Sequence, residues 1–175
     1  MLVYELAEAL IVPRPARDEI VLLRIPNIGR GAAARAQLRA ALVTVGQRWY
    51  GAQINLRETT TGPQWTQPVG ELSISYDGTD GWAAWSEVPR LGCDAVIMQD
   101  FPERAEVTQR YLGGAVAARV ATTRLPVEAF AHAWAKFEAG LKAHGLILTE
   151  DCPPMTGQAY YHRCGEVVVA VWVGH

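Results

Sequence analysis

The chain has 175 residues and a mass of 19.1 kDa, with 50% hydrophobic and 19% charged residues; that is enough for one compact unit or two small halves sharing a core, and it excludes a disordered tail or a fibre. Sixteen basic and 18 acidic residues leave a formal charge of −2, so no bulk positive field draws the protein to nucleic-acid phosphates or anionic lipid. The basic set is lopsided: fourteen are arginine, and the only lysines, Lys136 and Lys142, fall in one short segment.

In chain order, Met1 to Ile11 lacks the basic start and apolar run of a secretory signal, because Glu5 and Glu8 interrupt it, so a mature cytoplasmic start is expected. Glu19 to Ile25 reads as a buried strand ended by Pro26 and Asn27. Ala32 to Trp49 reads as a helix, with Leu38, Leu42 and Val45 at helical spacing. Arg57 to Gly70, with two prolines and two glycines, reads as loop or turn. Leu72, Ile74 and Tyr76 alternate with Ser73 and Ser75 as in a half-buried strand, and Trp82 to Trp85 is its expected hairpin partner.

A further strand is expected over Cys93 to Met98, and a helix over Pro102 to Leu112 with Glu103 in its first turn. After Gly113 and Gly114, a long helix opens at Pro126 and ends at Gly145. Leu146 to Leu148 and Val167 to Val173 read as strands, the second paired with Ala159 to His162. Val167 to Val173 is also the longest apolar stretch, far short of the roughly 18 residues of a membrane span. The expected class is α+β, with two similar halves meeting near residue 90, about 1–90 and about 91–175.

Three cysteines at irregular spacing point to reduced thiols. A zinc site can be drawn from Cys152, His162 and Cys164, but without a paired CxxC the plainer reading is two half-buried thiols near a strand.

Two segments could carry chemistry. Asp94 is an acid on an apolar strand, and burying a lone carboxylate costs several kcal/mol unless a cation or hydrogen bonds compensate. Its plain reading is an acid capping a turn at the strand's frayed end. Glu138 shares a helix face with Phe130, Trp134 and Leu141 rather than pointing to water. Plainly read, Glu138 and Lys142 form a surface pair four residues apart, worth a few tenths of a kcal/mol. The sharper reading has Asp94 and Glu138 converging on one divalent cation, with Lys142 beside it to meet a phosphate.

Together these segments resemble the 4'-phosphopantetheinyl transferase superfamily, whose signatures are a strand of form G-x-D and, further along, a helix of form W-x-x-K-E-A-x-x-K-x-x-G. Gly92 and Asp94 match the first; Trp134, Glu138, Ala139, Lys142 and Gly145 match the second. Ser73-Ile74-Ser75-Tyr76-Asp77-Gly78 sits where members have N-I-S-H-S-G, Thr61-Gly62-Pro63 where they have G-K-P, and Arg35 to Leu42 resembles a helix with an R-x-x-L-R-x-x-L pattern. The likeness runs from about Ala32 to Leu148 and follows the two-lobed branch. The departures are Tyr76 for the family's histidine, Asp77 for the adjacent serine, Gly62 for the G-K-P lysine, Phe137 for the K-E lysine with Lys136 one place earlier, and Val96 for a second strand acid.

The resemblance implies two halves packed as a pseudo-dimer within one chain, hence a monomer. It implies transfer of the 4'-phosphopantetheine arm of coenzyme A to a serine of an acyl or peptidyl carrier protein. Asp94 and Glu138 would hold Mg²⁺, Glu138 would be the base, and Lys142 would steady the departing phosphate with Lys136 as helper. Arg35, Arg39 and Tyr76 would meet the adenine-side phosphate. The competing class is a degenerate member that binds a carrier protein without chemistry, and another coenzyme A-dependent transfer is a third.

Overall fold

The computed structural model describes residues 1–174. Its elements are β1 (Leu2–Glu5), α1 (Leu6–Ala9), β2 (Val21–Ile25), α2 (Gly31–Tyr50), β3 (Leu56–Thr59), β4 (Gly62–Trp65), β5 (Glu71–Tyr76), β6 (Gly81–Ser86) and β7 (Leu91–Ile97). They continue as α3 (Arg104–Val107), a π-helical turn (Thr108–Leu112), α4 (Gly114–Thr122), α5 (Pro126–His144), β8 (Gly157–Cys164) and β9 (Val167–Gly174). The class is α+β, and no helix among the described residues is long and apolar enough to cross a membrane.

Alternation along the strands builds four layers. Val21, Leu23, Ile25, Ala83 and Trp85 face Leu38, Leu42 and Val45 of α2. The opposite face of the same sheet, Leu22, Trp82 and Ala84, meets Cys93, Val169 and Val171 of a second sheet. That sheet's far side, Val168, Ala170 and Trp172, is covered by Ala131, Ala135 and Ala139 of α5. Strands sandwiched on both faces must be apolar at consecutive positions, which is why Val21 to Leu23 of β2 and Val167 to Val173 of β9 read as unbroken hydrophobic runs.

The first sheet has the order β1-β2-β6-β5 and the second β7-β9-β8. In each, a strand leads through a long helix to a hairpin whose second strand returns antiparallel beside the first: β2 with β6, and β7 with β9. A parallel strand, β1 beside β2, extends the first sheet.

Several expectations change. Arg57 to Gly70 is largely a hairpin of β3 and β4; Pro63 is tolerated because this two-stranded ribbon leaves its N–H side unpaired. Leu146 to Leu148 is an exposed segment with no strand, since apolar residues alone make none without an edge to pair with. The Pro102 to Leu112 helix is a short α3 followed by the π-helical turn, and α4 fills part of the interval before Pro126.

Candidate functional site

Asp94 lies mid-strand in β7, opposite Ala170 of β9, and is 8% exposed; it is not at a frayed end. Its Oδ1 accepts from Ser75 Oγ at 3.0 Å and from Lys142 Nζ at 2.8 Å. Both bonds fall on Oδ1, and Asp94 lines a cleft. That cleft, about 500 Å³, also has Tyr76, Val96, Phe130, Trp134 and Glu138 in its wall. Burial first, and the charge of Asp94 second, push the Glu138 carboxyl above its ordinary value, with Lys142 opposing them.

Lys142 pairs with Asp94 rather than with Glu138, its neighbour one turn back. Its ammonium also donates to Cys93 O at 2.9 Å and Ile74 O at 3.3 Å, so it ties β7 to β5. It lines a second cavity of about 490 Å³ with Arg39, Gly62, Pro63, Ser73 and Gly145. The residue pairs four apart in the helix therefore divide their work: Trp134 and Glu138 face the first cleft, and Lys142 reaches across to the acid on the strand.

Local packing accounts for the small residues of both signature segments. A Cβ on Gly92 would stand 1.8 Å from Ala139 O and 2.8 Å from Ala143 N, so only a bare backbone lets α5 approach β7 this closely. Gly145 takes the left-handed conformation (φ 64) that ends α5, and Leu146 N–H caps Leu141 O at 2.9 Å.

The remaining predicted residues divide. Arg39 donates to Tyr76 Oη at 3.3 Å and is ion-paired with Glu58; exposed Arg35 stands near enough to favour the tyrosinate, although burial dominates and raises the Tyr76 pKa. The structure does not bring Lys136 to this group. It is exposed on the other side of α5, with its ammonium 5.4 Å from the centroid of the Trp172 ring. Cys152, His162 and Cys164 are likewise not gathered: Cys152 lines a cavity beside Trp172, Cys164 packs on the inter-sheet core, and among the described residues no three His, Cys, Asp or Glu side chains are placed to share a metal ion.

Sequence reasoning missed the serines. Ser73 and Ser75 are 8% and 6% exposed, so the hydroxyl face of β5 is buried against β7. Ser73 Oγ accepts from Cys93 N–H at 2.8 Å and Ser75 Oγ from Ala95 N–H at 3.1 Å. Asp77 is also structural: it accepts from Thr79 N–H at 2.8 Å, Asp80 N–H at 2.7 Å and Trp82 Nε1–H at 2.8 Å. Two serines alternating with apolar residues were the available signal for the first, and the D-G-T-D turn for the second. In comparisons with known proteins, no family model and no curated protein matches the chain.

Proposed function

We propose that the chain transfers the 4'-phosphopantetheine arm of coenzyme A to a serine of an acyl or peptidyl carrier protein, on a pseudo-dimeric fold of the 4'-phosphopantetheinyl transferase kind. The observation that carries this reading is the convergence of Asp94 from β7 and Glu138 from α5 on one cleft, with Lys142 bonded to the same aspartate. The repeated strand, helix and hairpin order of the two sheets supports the fold half of it.

The donor set fits Mg²⁺, a hard cation that takes one or two carboxylates and keeps several waters. Asp94 and Glu138 would hold it, and when bound it would neutralise pyrophosphate charge. Glu138, directly or through a water on the metal, would take the proton of the attacking hydroxyl. The serine oxygen forms a bond to the phosphorus bearing the pantetheine arm, the pyrophosphate bond breaks, and 3',5'-adenosine bisphosphate leaves with the electron pair. Lys142 is the cation nearest the acid pair and would steady the departing phosphate.

A purified sample with Mg²⁺ and coenzyme A should add the mass of the arm to a cognate apo carrier protein, and Glu138→Ala should stop it. Intact coenzyme A with several apo carriers would overturn the proposal.

One observation favours a second reading, a non-catalytic carrier-binding module. The Lys142 ammonium already has three oxygen partners inside the protein, and Arg39 is paired with Glu58, so both cations are engaged without a ligand. Thermal shift separates the two: a catalyst gains stability from coenzyme A chiefly with Mg²⁺ present, and a module of the second kind gains none.

A further inference from the structure

On the side of α5 away from the acid pair lies a cavity of about 320 Å³, bounded by the π-helical turn, α4, α5 and the segment Cys152 to Met155. Val116, Phe137, Met155 and the Trp172 ring give it an apolar wall, and no acidic side chain lines it. Two cations do. Arg119 and Lys136 are exposed, and among the described residues neither forms an ion pair. The contact of the Lys136 ammonium with the Trp172 ring holds that charge over the apolar floor.

The two lining residues from the π-helical turn, Tyr111 and Leu112, add a backbone irregularity of the kind that recurs at functional sites. Size narrows the occupant. The volume sits at the lower end of the roughly 300–1,000 Å³ common for small-molecule sites, too small for a folded peptide segment.

We propose that this cavity binds a small aliphatic carboxylate, with its tail against Trp172, Phe137 and Met155 and its carboxylate between Arg119 and Lys136. The site is separate from the acid pair but not isolated from it. Tyr111 and Phe137 of the cavity pack on Trp134, at centroid distances of 5.8 and 6.0 Å, and Trp134 is a wall of the cleft that holds Glu138. An occupant would therefore press on the cleft through one aromatic ring.

The test compares octanoate with 1-octanol, by calorimetry and by indole fluorescence, on the whole chain and on the double variant Arg119→Gln/Lys136→Gln. Both substituted residues are exposed, and an unchanged melting temperature confirms that the variant is folded. Octanoate should bind saturably at one site with a change in tryptophan emission. The double variant should lose roughly tenfold or more of that affinity, the effect of removing charge-assisted hydrogen bonds, while any 1-octanol binding stays the same. Absence of saturable octanoate binding, or equal octanoate affinity in the double variant, would overturn the proposal.

Discussion

Lys142 Nζ stands 2.8 Å from Asp94 Oδ1, and the pair joins the last turn of α5 to the middle of β7. The side chain of Asp94 is only 12% exposed, and that ammonium and the Ser75 hydroxyl are its hydrogen-bond donors. Lys142→Met leaves a buried carboxylate with one hydrogen bond. The expected cost in urea unfolding is about 2 kcal/mol, below the about 3–5 kcal/mol of a fully buried pair because Lys142 is partly solvated. Adding Asp94→Asn should restore part of it; a double-mutant cycle with no coupling would refute the pair's role.

Gly92→Ala should be among the most damaging single-methyl changes in the chain. The new Cβ would meet backbone atoms of Ala139 and Ala143, which no rotamer change can move. Displacing α5 from the sheet should cost about 3 kcal/mol or more, read as a fall in the urea midpoint. Gly114→Ala, where the nearest atom is Gln109 Nε2 at 3.6 Å, serves as the tolerant comparison.

The Glu138 carboxyl gives a pH dependence with a definite sign. A carboxyl raised in the folded state binds its proton more tightly there than in the unfolded chain, so stability falls as pH rises from about 4.5 through the raised value. Glu138→Gln should remove that fall. It should exceed the unsubstituted protein in melting temperature at pH 7 and match it near pH 4; equal pH profiles would contradict the burial argument.

Asp77→Ala removes the acceptor of three donors, one of them the indole N–H of fully buried Trp82. The expected loss is about 3 kcal/mol, with Asp77→Asn much milder because its carbonyl oxygen keeps an acceptor at the turn. Chemical denaturation of the two variants side by side decides this.

Alkylation should discriminate the cysteines. Burial pushes the Cys93 thiol up to about 12, so it presents almost no thiolate at pH 8 and no access. Partly exposed Cys152 and Cys164 should take iodoacetamide in the native protein, with Cys93 modified only after denaturation. Peptide mass mapping reads the order directly.

The strands and helices with strong local patterns were legible: the VLLRI and VVVAVWV runs, the α2 heptad of Leu38, Leu42 and Val45, and the proline and glycine that bracket α5. Asp94 and Glu138 were legible because each is an acid on an apolar face. What escaped was set by tertiary context. The β3 and β4 ribbon hides behind turn residues, and α4 has few buried side chains to announce it. Lys136 looked adjacent to the acid pair because two positions along a chain are close, yet on a helix they lie on opposite sides. Ser73 and Ser75 looked like a solvent face because small polar residues usually are one; here they meet the unsatisfied N–H groups of another sheet.

That meeting of β5 and β7 has a bearing on how the protein can vary. A backbone ladder is nearly indifferent to the residues that form it, but this junction is made by two hydroxyls and one ammonium. Each can be altered by a single codon, so the grip between the two sheets is heritable in graded steps. Ser73→Ala slackens it by one bond and Ser75→Ala by two, neither touching either sheet's own pairing, giving natural variation a dial on the gap in which the acid pair sits.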